Sequence, residues 1–188
     1  MVERTIDNRL INGFFLLAEE KDVISDLNFS LIARKAKIDL SNMKKQFSTL
    51  PQLYEFIHQK VDEQFHEKII ACFKDYDQSS TALFAANILP LIEENRNQLK
   101  HLFNLKFDPF YPHFLEKQYF NTVKSYLVKS GHTSNFPENH LSRYITGQVV
   151  LLISIWMTED QPLPLLEFQE YFIQALNSAT GHLFDAKV

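Results

Sequence analysis

The stretch that decides the fold is Asn28-Phe29-Ser30-Leu31-Ile32-Ala33-Arg34-Lys35-Ala36-Lys37-Ile38-Asp39-Leu40-Ser41-Asn42-Met43-Lys44-Lys45-Gln46-Phe47. Asn28 can cap a short helix that runs to Lys37 and turns Phe29, Ile32, Ala33 and Ala36 inward. Lys37-Ile38-Asp39 then makes a tight connection. Asp39 or Ser41 caps a second short helix, in which Met43 and Phe47, four residues apart, face inward, while Leu40, Ser41, Asn42, Lys44 and Lys45 face outward. Two short helices joined by so brief a turn have helix-turn-helix geometry. To read DNA, the second helix must be bulky on one side only, so that it enters a major groove while its flanks meet phosphates. Arg34, Lys37, Lys44 and Lys45 suit phosphates. Ser41 and Asn42 can donate to and accept from base edges, and Leu40 can meet a thymine methyl.

Working outward, Ile6, Leu10, Phe14 and Leu17 place a helix over Thr5–Lys21 ahead of this pair. After it, Pro51 falls in the first turn of a long helix, where its missing N–H costs nothing. Leu53, Phe56, Ile57, Val61, Phe65, Ile69 and Phe73 carry that helix to about Tyr76. Asp77-Gln78-Ser79-Ser80 interrupts the pattern, and Ala82, Phe84, Ile88 and Ile92 resume it, with Pro90 either starting a new helix or kinking this one. Leu99, Leu102 and Phe103 continue. Asp108-Pro109-Phe110-Tyr111-Pro112 is a break, followed by helices over Phe114–Lys129 (ended by Ser130-Gly131), from Pro137 or Glu138 to Met157, and over Leu166–Leu183. No segment alternates with period two for long enough to read as a strand. The expectation is an all-α chain of about nine helices: a three-helix unit over 1–50 and a larger helical body over 51–188.

Composition narrows the function classes. The 188 residues carry 45% hydrophobic and 22% charged side chains, an ordinary globular balance. The most apolar run, Val149-Val150-Leu151-Leu152-Ile153, is closed by Ser154 and then Glu159-Asp160, short of the roughly 20 apolar residues of a bilayer span. Met1-Val2-Glu3-Arg4 opens no signal peptide, so a cytoplasmic protein is expected. A single cysteine, Cys72, excludes a disulfide framework and a cysteine-based zinc site, and its apolar helical setting reads as inert core. Four glycines form neither G-x-G-x-x-G nor G-x-x-x-x-G-K-[ST]. Residues 1–50 hold eight Lys/Arg against seven Asp/Glu in a chain of net charge −4. A basic island at 34–45 therefore sits on an acidic body.

The stretch from Phe29 to Phe47, followed by Leu53, resembles the N-terminal domain of the tetracycline repressor (TetR) family, T-V-x-x-I-A-x-x-A-G-V-S-x-x-x-L-Y-x-H-F-x-x-K-x-x-L. Asn28 matches the capping Thr, Phe29 the Val, Ile32-Ala33 the Ile-Ala, Ala36 the Ala and Ile38 the Val. Asp39 replaces the capping Ser and Met43 the Leu, while Phe47 and Leu53 match directly. The departures are Lys37 for the family Gly, Lys44 for its Tyr, Gln46 for its His and Leu50 for the Lys that clamps a phosphate. The resemblance implies a homodimeric transcription regulator, a repressor, whose DNA-binding residues are Asn28, Arg34, Lys37, Leu40, Ser41, Asn42, Lys44, Lys45 and Gln46. Its partner would be double-stranded DNA with a palindromic operator, read by two helices about 34–36 Å apart.

The resemblance also implies an effector pocket in the middle of the chain and a dimer made by the two last helices. Seventeen Phe and seven Tyr suggest a large aromatic core, a hollow lined with rings, or both. Phe84, Ile88, His101, Phe103, Phe107, Tyr111, Phe114 and Phe120 are the pocket candidates, suited to a small hydrophobic or aromatic effector. Val149, Leu152, Ile153, Trp156, Phe168, Phe172 and Leu176 are the interface candidates, because apolar residues wrap more of the 141–157 helix than one core face uses. An alternative is a sensor of the same fold that acts through a protein partner, with weak or lost DNA binding, as the missing Lys at Leu50 suggests.

Catalytic patterns are absent. His58, Asp62 and His66 stand at i, i+4 and i+8 on one helix, a spacing that fits a metal set, although a solvated face with local His–Asp contacts is the simpler reading. Glu55–His58 and Glu63–His66 repeat E-x-x-H, but on one helix they cannot converge on a di-iron centre. Neither H-E-x-x-H nor G-x-S-x-G occurs. No enzyme activity, cofactor or metal is expected.

Overall fold

The computed structural model describes residues 2–74, 79–130 and 137–178, and among these every regular element is helical. The elements are α1 (Val2–Ala18), a 3₁₀ turn (Ile24–Asp26), α2 (Phe29–Ala36), α3 (Leu40–Gln46), α4 (Leu50–Cys72), α5 (Ser80–Asn87), α6 (Leu89–Glu94), α7 (Arg96–Phe103), α8 (Tyr111–Lys129), α9 (Glu138–Thr158) and α10 (Leu165–Asn177). The all-α expectation holds. Pro90 starts a new helix, α6, rather than kinking α5. Tyr76, Asp77-Gln78, Gly131 and Leu183, which mark expected element ends, lie outside the described residues.

Local chemistry accounts for the N-terminal elements. Asn28 Oδ1 accepts from the Leu31 amide at 3.0 Å and Asp39 Oδ1 from the Asn42 amide at 2.9 Å, so Asp39 rather than Ser41 caps α3. Thr49 caps α4, and Pro51 occupies its first turn. Lys37 ends α2 with φ 54° and ψ 45°, the left-handed conformation that most residues avoid. Arg9 Nη1 donates to the Lys37 carbonyl at 3.1 Å and ties that bend to α1.

The core runs without interruption from α1 to α10. Ile32, Ala33, Ala36, Met43 and Phe47 share one hydrophobic cluster with Leu10, Phe14 and Leu17 of α1 and Leu53 and Ile57 of α4, α2 lying chiefly against α1. Each such large apolar side chain contributes roughly 1.5–3 kcal/mol relative to exposure. Within the body, α9 lies chiefly against α8 and α7. Trp156 ties three helices together: its ring stacks on Phe168 of α10, 4.2 Å between centroids, Arg96 of α7 sits 4.4 Å over its centroid, and its Nε1 donates to the Leu163 carbonyl at 2.8 Å.

Two expectations are corrected here. By length and composition alone α9 is a helix apolar enough to cross a membrane, although its longest uninterrupted apolar run is short. Its Ser142, Thr146, Val150, Ile153, Ser154, Trp156 and Met157 are buried within the fold. Four of the dimer-interface residues, Ile153, Trp156, Phe168 and Phe172, are also interior to this one chain, at 4%, 1%, 3% and 0% exposure, while Val149, Leu152 and Leu176 are half-buried against the same core. The reason is that α10 folds back over α9 and α5 and uses these rings itself, as in the stacking of Phe84 on Phe172 at 5.5 Å. The outward apolar residues are instead Tyr144, Leu151 and Ile155 on α9 and Leu166 and Tyr171 on α10.

Candidate nucleic-acid interface and the cavities behind it

The helix pair presents a polar surface. Ser41, Asn42, Lys44, Lys45 and Gln46 are all exposed on α3, with Met43 buried beneath them at 2% exposure. Arg34 and Lys37 are exposed beside them, and none of Arg34, Lys37, Lys44 or Lys45 has a carboxylate partner among the described residues. Lys35 is the exception in the basic island, because it is paired with Glu20 of the α1 end. Asn28 is exposed, but its side-chain oxygen is used as the α2 cap. Leu40 departs from the expectation: it is half-buried and packed against the hydrophobic core, which takes its apolar side chain out of water instead of presenting it outward. Leu50, half-buried, likewise packs on the core.

Behind the helix pair, the expected pocket residues divide between two cavities. Phe84, Ile88, Phe103 and Tyr111 line an inner hollow of about 70 Å³ whose walls come from α4 to α9. Its walls are almost wholly apolar, with Asp62, Tyr111, Tyr119 and Thr146 bringing the polar groups. Phe107 and Phe114 line a separate open groove of about 630 Å³ between the 23–27 segment, the first turns of α4 and the 106–117 stretch. His101 and Phe120 line neither. Half-buried on α7, His101 sits edge-on to the Phe107 ring at 6.4 Å, and burial, reinforced by Lys100, pushes its pKa down. Phe120 is half-buried on α8.

Between the two cavities lies a buried polar chain that sequence spacing alone did not reveal. His58 Nε2 is 2.6 Å from Asp108 Oδ2, with the side chains 3% and 0% exposed. The other Asp108 oxygen accepts from the amides of Phe110 at 3.0 Å and Tyr111 at 3.2 Å, so the carboxylate also organises the start of α8. One turn further along α4, Tyr119 Oη donates to Asp62 Oδ1 at 2.7 Å, and His66 Nδ1 lies 3.6 Å from the other Asp62 oxygen. Burial raises the Asp62 pKa above the ordinary carboxylate value, opposed by the Tyr119 hydrogen bond and by His66. Desolvation pushes Tyr119 and Tyr111 up as well. Tyr54 is pushed up to about 12 by burial and by Asp108, and its hydroxyl donates to the Ile24 carbonyl at 3.2 Å.

Of the His58/Asp62/His66 face of α4, the expected local His–Asp contact is present, His66 on Asp62 at 3.6 Å, but the expected solvation is corrected: His58 and Asp62 are buried beneath α8 at 2% and 3% exposure. They take different partners, and no group of three metal-ligating side chains is gathered among the described residues. The sequence marks Asp108–Pro112 only as a break; the role of Asp108 at the start of α8, which begins at Tyr111 inside that stretch, and its partner fifty residues upstream were not legible in it. Cys72 is buried in α4 as expected, its thiol pKa raised by burial.

Compared with known proteins, the chain matches no family model, no curated protein and no solved structure.

Proposed function

We propose that the chain is a TetR-like transcription regulator, a homodimeric repressor that binds a palindromic operator and releases it when a small hydrophobic effector binds. The observation that carries this reading is the bend at Lys37. The residue standing where the family has glycine takes the left-handed conformation that glycine serves there, and α3 follows with Met43 and Phe47 inward and a polar, unpaired basic face outward. A second copy meeting the outward Leu151 and Ile155 of α9 and Leu166 of α10 would cover apolar surface that a lone chain leaves in water. Effector control would be a population shift between two spacings of the reading helices.

Fluorescence anisotropy of the purified protein with the DNA flanking its own gene, at two salt concentrations, tests this reading. Saturable binding that weakens steeply with salt and is lost in K44A/K45A supports it. No binding at low salt overturns it. The half-buried Leu50, in the place of a phosphate-clamping lysine, favours the second reading, a sensor that acts through a protein partner. In that case K44A/K45A leaves function intact.

A further inference from the structure

We propose that the open groove between the 23–27 segment, α4 and the start of α8 is a binding site for a small apolar carboxylate, an organic acid with an aromatic or aliphatic body. Its volume of about 630 Å³ lies within the roughly 300–1,000 Å³ of small-molecule sites. The inner hollow, at about 70 Å³, is far smaller. Ile24, Leu27, Tyr54, Phe107 and Phe114 make an apolar wall, and Phe110 stands 57% exposed at its edge, a large ring left in water until something covers it.

Charge selects the class of occupant. Lys106 and Lys117 line the groove with one acid, the exposed Glu55, on a chain whose net charge is −4, and the 82% exposed His113 beside them lies 4.0 Å from Glu116. Lys106 and Lys117 have no carboxylate partner among the described residues. His58 also lines it, but its Nε2 is already committed to Asp108. An apolar body on the aromatic wall with one carboxylate at the lysines satisfies both halves of the site. A neutral molecule lacks the charge-assisted contact that a carboxylate makes with the exposed lysines, and a cation opposes them.

The groove also lies on a seam. One wall belongs to the turn before the helix-turn-helix pair and the other to the body. They are joined by the Ile24 N–H donating to the Phe107 carbonyl at 2.9 Å, by Tyr54 Oη on the Ile24 carbonyl, and by Phe14 packed edge-on against Phe107 at 5.8 Å. An occupant that touches both walls favours one arrangement of head on body and so shifts DNA affinity. This last clause rests on the DNA-binding reading; the site does not.

Isothermal titration of the full chain with 1-naphthaleneacetate, decanoate and 4-phenylbutyrate, each beside its amide, tests the site. At least one acid should bind saturably, with its amide weaker by about tenfold or more, the loss expected for one charge-assisted contact. K106E/K117E, changed only at exposed positions, should weaken the acid by at least a similar factor while the melting temperature is kept. Binding by none of the acids, equal binding by acid and amide, or binding that survives the charge reversal overturns the site. Repeating the DNA titration with the bound acid separates the two readings. Acid binding without any DNA binding keeps the site and removes the repressor. DNA binding without acid binding does the reverse. With both present, the operator Kd should change by about fivefold or more, and an unchanged Kd overturns the coupling.

Discussion

Gly13 of α1 crosses Ala36 of α2 so closely that a Cβ added at Gly13 would sit 2.6 Å from the Ala36 amide nitrogen and 2.8 Å from its Cβ. No real Cβ tolerates such a contact with backbone, so this glycine sets how tightly the first helix lies on the helix-turn-helix pair. The same crossing puts Arg9, one helical turn earlier, within reach of the Lys37 carbonyl. Gly13→Ala gains about 1 kcal/mol of helix propensity but forces two backbones apart. A net loss of about 1–3 kcal/mol is expected from overpacking, read as a lower urea midpoint. A variant as stable as the parent would show that α1 and α2 separate at no cost.

The bend at Lys37 invites the opposite substitution. A lysine in the left-handed region carries about 1–2 kcal/mol of strain, and glycine relieves it while costing part of the gain in unfolded-chain entropy. Lys37→Gly should therefore stabilise the fold by about 0.5–1 kcal/mol, and Lys37→Val, β-branched, should destabilise it. Equilibrium urea unfolding of the pair distinguishes them. If glycine destabilises, the lysine side chain holds the turn by a contact that outweighs the strain.

Asp108 is held by three donors with no access to water. Asp108→Ala leaves His58 and the Phe110 and Tyr111 amides without it. A loss of about 3–5 kcal/mol is expected for breaking such a pair. H58A/D108A should cost less than the sum of the single changes, because the second removes a group the first has already orphaned. Additive losses in a double-mutant cycle would mean the two side chains do not interact.

The raised pKa of the buried Asp62 sets the sign of a pH dependence. Its folded pKa lies above the ordinary carboxylate value, so the native state binds this proton more tightly than the unfolded chain does. Stability from this group is greatest at acid pH and falls as pH rises from the unfolded pKa, about 4, through the raised one. Asp62→Asn keeps an acceptor for Tyr119 and removes that fall. It should gain stability relative to the parent at pH 7 and lose the advantage near pH 4. An advantage that grows toward acid pH would reverse the assignment.

On the proposed two-fold dimer, Leu151 and Ile155 face the second copy. L151E/I155E should run in light scattering at the 22.1 kDa of one chain, while the parent runs at twice that mass. Trp156→Ala instead should unfold the chain, since it removes the ring under Arg96 and Phe168. A parent that is itself monomeric sinks the dimer.

The sequence by itself determined the all-helical class, the helix order and some of the ends, because capping residues, proline and the 3.6-residue period act within a few neighbours. It did not determine the α6–α7 division or the start of α8 at Tyr111. Asn28, Asp39, Thr49 and Pro51 each do their work inside one turn, and Met43 with Phe47 shows its inward face by spacing alone. Only the tertiary structure decided which apolar face of α9 is spare, since α10 folds over Ile153 and Trp156 and leaves Leu151 and Ile155 outside. It also decided that His58 and Asp62 are buried, and that the pocket candidates divide between an inner hollow and a groove at the seam. Those outcomes depend on which helix lies across which. The crossing is set by contacts such as Gly13 on Ala36 and His58 on Asp108, whose members are 23 and 50 positions apart. No local period records a pairing over that distance.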